Sequence, residues 1–289
     1  MDARMTGENE DLRQQLQTAK RVVIKVGTST ITYENGRFNL TNLDHLCRSI
    51  ANQKNQGREI ILVTSGAIGV GVGRLRLPQK PQRMREKQAA AAVGQCELMS
   101  MYSKIIADYH YVVAQILLTK DDIDDPVTRE NIHNTFEALL DQEILPIVNE
   151  NDTVSTREIY HNGTFGDNDA LSAIVARLVE ADLLVILSDI DGLYDKDPHQ
   201  YEDATLLSTI HKVDECVEQL AGGEGSNRGT GGMRTKLMAA RIAGEAGIPT
   251  VIANGSQEHV IDTVLAGRET GTLFCRPESV SEKPVTRLD

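Results

Sequence analysis

RVVIKVG, residues 21–27, sets Val22, Val23, Ile24 and Val26 in one short run broken by a single charge, Lys25. The run does not alternate apolar with polar residues, so it does not suit a strand with one wet face. It suits a strand buried on both faces. The same texture returns in EIILVTSG (59–66), VVAQILL (112–118), ILPIVNE (144–150), LLVILSD (183–189) and PTVIAN (249–254). Between these runs the apolar spacing predicts helices over about 41–56, 87–108, 128–142, 168–180, 232–246 and 257–266. Buried strands alternating with helices predict an α/β fold, a three-layer α/β/α sandwich with a mainly parallel open sheet. GTLFCR (271–276) is expected to add an antiparallel edge strand. The domain is expected to occupy 21–276, after a polar lead-in (1–20) with some helix through Leu12 and Leu16, and before a polar tail (277–289).

The unusual residues fall at the strand ends. Lys-Val-Gly-Thr closes the first run, Thr-Ser-Gly-Ala the second, Asn-Glu-Asn-Asp the fourth, Ser-Asp the fifth and Ala-Asn-Gly the sixth. In an open parallel sheet, ligands bind beyond the carboxyl ends of the strands. Small, polar and charged groups at that edge therefore mark the candidate site.

Composition narrows the chemistry. A net charge of −12 argues against a nucleic-acid partner held by general electrostatics, so an anionic ligand must meet a few local cations and backbone amides. No stretch reaches the ~18 apolar residues of a membrane span, and the N-terminus is polar, so no membrane partner and a cytosolic location are expected. Cys47, Cys96, Cys216 and Cys275 are scattered without a CxxC pair and are expected to be reduced, mostly buried thiols. The histidines show no metal-ligand spacing, and no protein metal site is expected.

A mid-strand lysine in a buried sheet needs a partner, which makes Lys25 a candidate functional cation. Gly27, Ser65 and Gly66 stand where backbone N–H groups could approach an anion. SGAIGVGVG (65–73) is glycine-rich, but GxGxxG would need glycine where Arg74 stands, and no GxxxxGK[ST] loop exists. In GTGGMRTKLMAARIAGEAG (229–247), Lys236 opens a helix behind a glycine-rich loop. A lysine has no dipole reason to sit at a helix start, so the position asks for an anion such as a polyphosphate. NENDTVSTREIYHNGTFGDND (149–169) concentrates Asn149, Asp152, Asp167, Asn168 and Asp169. An acid between two lysines would hold them in place, while Asp152 and Asn168 could grip an amino group of a small substrate. Ser188 and Asp189 close the fifth strand. Together these parts predict phosphoryl transfer by positioning and charge neutralisation, to an acceptor that needs no deprotonation, such as a carboxylate.

KVGTSTIT (25–32), VTSGAIGVG (63–71), QAAAAVGQ (88–95), NENDTVST (149–156), GDNDALSA (166–173), LSDIDGLY (187–194) and GTGGMRTKLMAA (229–240) resemble the amino-acid kinase superfamily. More narrowly they resemble its glutamate 5-kinase (γ-glutamyl kinase) family, over roughly residues 20–276. The resemblance implies an enzyme that phosphorylates the side-chain carboxylate of L-glutamate with ATP and Mg²⁺, giving L-glutamyl 5-phosphate in the first step of proline biosynthesis. It implies that Lys25 and Lys236 are the phosphate-binding catalytic lysines, that Asp169 organises them, and that Gly27 and Gly66 offer amides to the transferred group. It assigns Ser65, Asp152 and Asn168 to glutamate, with Asn149 and Asp167 as neighbours. Lys25, Ser188, Asp189 and the segment Thr230, Gly231, Gly232, Met233, Arg234, Thr235 and Lys236 are assigned to ATP. Feedback inhibition by proline and a homo-oligomer are implied as well. Many bacterial relatives carry a C-terminal PUA domain; here RPESVSEKPVTRLD (276–289) is expected to be a polar tail instead.

Overall fold

The computed structural model describes residues 11–154, 168–198, 200–221 and 232–275. The lysine-bearing run forms β1 (Arg21–Val26), followed by the single-turn α1 (Thr28–Ile31), α2 (Leu40–Asn55), β2 (Glu59–Val63), α3 (Ala67–Arg74) and α4 (Met84–Ala107). Then come β3 (Val113–Leu118), α5 (Lys120–Asp124), α6 (Pro126–Asp141), β4 (Leu145–Glu150), α7 (Asn168–Leu178) and β5 (Leu183–Ser188). The described chain continues through β6 (Thr209–Ile210), α8 (Glu215–Leu220), α9 (Met233–Glu245), β7 (Thr250–Asn254), α10 (Val260–Leu265) and β8 (Thr272–Phe274).

The strands make one sheet in the order β3-β4-β2-β1-β5-β7-β8-β6. From β3 to β7 every pairing is parallel; β8 runs antiparallel to β7, and β6 pairs with it in parallel. β1 lies between β2 and β5, where the chain stops building one half of the sheet and starts the other. That switch point is where a parallel sheet opens a crevice at its carboxyl edge.

Alternate residues of each strand feed different cores. Val22, Ile24 and Val26 pack with α2, α4 and α10 through Leu43, Ile50, Leu98, Tyr102 and Val264. Val23, Ile61 and Val63 pack on the other face with Phe136 of α6, Leu171 and Val175 of α7, and Leu237 and Ala240 of α9. Both faces are covered, which is why the apolar runs are continuous. Strand alternation puts Lys25 on the face of Val23, toward α7 and α9, and this assignment positions the site.

The sheet and its helical layers bear out the expected α/β sandwich. GTLFCR does form an antiparallel strand, but the two-residue β6 lies outside it and takes the edge. Neither β6 nor the short α1, α5 and α8 is long enough to show a period in the sequence. Within SGAIGVGVG, Ala67–Arg74 is helical. A Cβ at Gly71 or Gly94 would run into the backbone of Ala90 or Ala67, so these two glycines let α3 and α4 touch main chain to main chain. α10 starts at Val260 rather than 257 because His259 takes the left-handed conformation (φ 60°) just before it.

The lead-in is tied down where it is described. Leu16 is buried, and the Arg13 guanidinium donates to the carbonyls of Ser208 (2.7 Å), Thr270 (2.9 Å) and Gly271 (3.1 Å). The thiols only partly follow expectation. Cys47 is buried, its pKa pushed up to about 12 by burial, and Cys275 is half-buried; Cys96 and Cys216 are exposed, on the outer faces of α4 and α8. No described helix is long and apolar enough to cross a membrane.

Candidate active site

Lys25 is the fifth residue of β1, held in register between Val63 of β2 and Ile186 of β5. Its backbone is pinned on both sides and its side chain is buried, so the ammonium must find an anion within reach. Asp169, in the first turn of α7, supplies it: Lys25 Nζ lies 2.6 Å from Asp169 Oδ1. Lys236, in the first turn of α9, reaches the other oxygen at 3.1 Å. The Thr235 hydroxyl donates to the same Oδ2 at 2.9 Å. Asp169 is wholly buried, and burial alone would raise its pKa. The Lys25 charge, the Lys236 charge and the hydrogen bonds from Lys25 and Thr235 outweigh it and hold the carboxyl below the usual range. The cluster thus sets two buried ammonium groups around one carboxylate.

Room for an anion lies next to this cluster. A Cβ built on Gly27 would meet nothing nearer than Lys25 Nζ at 3.7 Å, and the Gly27 φ of −79° needs no glycine. Neither packing nor backbone conformation requires glycine there; the missing side chain leaves space beside the lysine. Gly66 differs. It caps α3 with φ 97°, in the left-handed region, and its turn does require glycine.

On the β2–β4 side of β1 the site is built from amides. Asn168 Nδ2 lies within hydrogen-bond reach of the Thr64 carbonyl (2.8 Å), Ser65 Oγ (2.9 Å) and Asn149 Oδ1 (3.0 Å). Asn149 in turn donates to Gln95 Oε1 of α4 at 2.9 Å. Asp152 sits half-buried in the turn after β4, where the Val154 N–H bonds the Asn151 carbonyl. On the β5–β7 side, Ser188 is buried at the end of β5 and its hydroxyl donates to the exposed Asp189 at 3.1 Å. Beside it, Asp191 Oδ1 accepts from Asn254 (2.9 Å) and Gln257 (3.2 Å), and Asp191 Oδ2 accepts from Tyr194 (3.1 Å). β1 therefore divides the carboxyl edge into two polar halves, with the lysine–carboxylate cluster between them.

The sequence profile of the Amino acid kinase family matches residues 20–254. A glutamate 5-kinase of Clostridium perfringens (strain 13 / Type A) is 53% identical over 263 residues, covering 91% of this chain and 98% of that one. One from Enterococcus faecalis (strain ATCC 700802 / V583) is 51% identical over 92% of this chain and 98% of its own. The chain belongs to the amino acid kinase family, in its glutamate 5-kinase branch. Among solved structures, the fold of this kinase is similar to UMP kinase from Bacillus anthracis (TM-score 0.59, 18% identity, 89% of this chain and 96% of that one). It is also similar to isopentenyl phosphate kinase (TM-score 0.62, 17% identity, 88% and 99%). At such identities these likenesses concern the fold alone.

Among the residues expected to serve this kinase, the structure joins Lys25, Asp169, Thr235 and Lys236 in one cluster, and Ser65, Asn149 and Asn168 in another. Ser188 and Asp189 stand apart on the β5 side. Gly232 caps α9, Met233 is half-buried and Arg234 exposed in its first turn. Asp167, Thr230 and Gly231 lie outside the described residues. Sequence reading overlooked three partners: Gln95, the Thr64 carbonyl, and Tyr102, whose hydroxyl shares a hydrogen bond with Thr64 Oγ1 at 2.8 Å. Gln95 and Tyr102 lie two turns apart on α4. A polar residue at each apolar-face position of a predicted core helix is the signal that could have found them.

Proposed function

We propose that this chain transfers the γ-phosphoryl group of ATP to the side-chain carboxylate of L-glutamate, giving ADP and L-glutamyl 5-phosphate, the first step of proline biosynthesis. The observation that carries this reading is the buried Lys25–Asp169–Lys236 cluster, with two ammonium groups fixed on one carboxylate and the space beside Gly27. A carboxylate is already ionised at neutral pH, so the acceptor needs no general base. Its oxygen forms the new bond to the γ-phosphorus while the bond to the ADP oxygen breaks. Lys25 and Lys236 neutralise charge on the passing group, Asp169 holds both ammonium groups apart at fixed spacing, and the Gly27 and Gly66 backbone lies close by.

Ser65, Asp152, Asn168 and, behind them, Asn149 hold glutamate on the β2–β4 side. Ser188, Asp189 and the 230–236 segment hold ATP on the β5 side. Mg²⁺ would enter with the nucleotide. Among the described residues no group of three or more His, Cys, Asp or Glu side chains could hold a metal, and Asp169 is engaged by two lysines. This donor set fits an ion carried mainly by the phosphates, where it would offset their charge. The same reading includes a cytoplasmic enzyme, a homo-oligomer and feedback inhibition by proline.

The test is ATP- and Mg²⁺-dependent acyl phosphate formation, trapped with hydroxylamine, from L-glutamate, aspartate and N-acetylglutamate in parallel. Hydroxamate from glutamate alone is expected. Hydroxamate from another acceptor in preference to glutamate, or from none in folded protein that binds ATP, overturns the reading.

A further inference from the structure

Gln95, Asn149 and Asn168 form a chain of side-chain amides whose polarity is fixed by two backbone groups. The Glu150 N–H, which can only donate, points at one atom of the Asn149 carboxamide at 2.9 Å, so that atom is the oxygen. The Thr64 carbonyl, which can only accept, faces one atom of the Asn168 carboxamide at 2.8 Å, so that atom is the nitrogen. Asn168 Nδ2 therefore also serves Asn149 Oδ1, and the Asn149 nitrogen must find an acceptor on its far side. Gln95 Oε1 is that acceptor, at 2.9 Å. The chain has two open ends: Gln95 Nε2 and Asn168 Oδ1 are buried and, among the described residues, have no hydrogen-bond partner.

Gln95 itself is 7% exposed, on the inner face of α4 beside Gly94 and Leu98. A methionine would fill nearly the same volume without leaving an amide N–H unpaired, so core packing does not account for a glutamine here. Two turns along the same face, Tyr102 reaches Thr64, whose carbonyl is the other anchor of Asn168. α4 thus braces the amide cluster from behind at two points.

We propose that Gln95 is a positioning residue of the glutamate site. By accepting from Asn149 it fixes that amide and, through it, Asn168, whose carboxamide oxygen is then presented as an acceptor for a donor such as the substrate's ammonium group. The inference rests on the reading that Asn168 contacts the substrate.

Three variants and one double variant test it in the full chain, with initial rates at varied glutamate and varied ATP and a thermal melt of each. Gln95→Met is expected to raise KM for glutamate about tenfold, the equivalent of one lost hydrogen bond, while kcat and KM for ATP move less than about twofold. In the Asn149→Ala background, where the chain is already cut, Gln95→Met is expected to add less than about a twofold rise. Asn168→Ala is expected to raise KM for glutamate at least as far as Gln95→Met does. An unchanged KM for glutamate in Gln95→Met beside a raised one in Asn168→Ala overturns the Gln95 inference alone. An unchanged KM in Asn168→Ala overturns the substrate reading and this inference with it. A fully additive double variant, or Gln95→Met raising both KM values together with a lowered melting temperature, reduces Gln95 to a packing role.

Discussion

At the amino end of β1, Arg21 donates to Glu59 at 2.6 Å, to Glu137 at 2.6 Å and to the Val179 carbonyl at 2.7 Å. Four residues along the same strand, Lys25 shares one carboxylate, Asp169, with Lys236. The amino end surrounds one cation with two carboxylates; the carboxyl end surrounds one carboxylate with two cations. Burial would lower the Arg21 pKa, but the hydrogen bonds to Glu137 and Glu59 outweigh it and raise it, so that end is complete in itself. Its acids are also a third or more exposed, and water and salt share their charge. The carboxyl end is more deeply buried: Lys25, Lys236 and Asp169 are each 5% exposed or less. Two like charges kept together in a low-dielectric site hold their place through the carboxylate between them, so that end is the more sensitive to any change of charge. Burial and arrangement, more than the presence of ion pairs, separate the end that ties the strands together from the end proposed for phosphoryl transfer.

The strongest challenge to this contrast is Lys236→Ala. It leaves the Lys25–Asp169 ion pair in place, so the fold is expected to survive while turnover falls about 10²–10³-fold, as for loss of one transition-state donor. Rates in the hydroxamate assay and a circular-dichroism melt of the same preparation would check both halves; retained turnover breaks the assignment.

Asp169→Asn sharpens it from the other side. Two buried lysines then face an amide, and a stability loss of about 3–5 kcal/mol is expected at pH 7, along with loss of activity. Because its folded pKa is depressed, Asp169 contributes stability above the unfolded carboxylate value, near 4, and loses it as pH falls through the lower folded value. The gap between wild type and Asp169→Asn in denaturant melts should therefore be widest near neutrality and close below about pH 4. A gap that does not change with pH would show that the carboxylate's charge is not what the lysines need.

Gly27→Ala probes the space beside Lys25 directly. The free protein accommodates the methyl group, so stability should hold or rise by a few tenths of a kcal/mol, whereas turnover should drop roughly tenfold or more because the group intrudes beside Lys25. Unaltered kinetics would mean the space serves no ligand. The smallest effect belongs to the amino end: Glu137→Gln is expected to cost about 1 kcal/mol or less and to leave kcat and both KM values unchanged. A large kinetic effect there would erase the distinction between the two ends.

Much of this molecule was legible before any coordinates. Six continuous apolar runs separated by helical periods specify a buried parallel sheet, because only a sheet covered on both faces tolerates strands without a polar side. A lysine inside such a run, and another at a helix start behind glycines, already demand an anion, because neither position suits a cation otherwise. What composition and spacing could not decide was which groups answer those demands. Asp169 pairs with Lys25 across 144 positions of chain only because α7 and α9 pack on the same face of the sheet as Val23. The glycines of SGAIGVGVG look like a nucleotide loop in one dimension; in three, Gly71 meets the Ala90 backbone and lets α3 close on α4. Gln95 reads as part of an ordinary core helix until the register of α4 against β4 brings it to Asn149. Local propensity and burial pattern are properties of short stretches, so the sequence by itself determined the layers and the residue types at their edge. Partnership between distant side chains depends on how helices seat on the sheet, and that the tertiary structure alone decided.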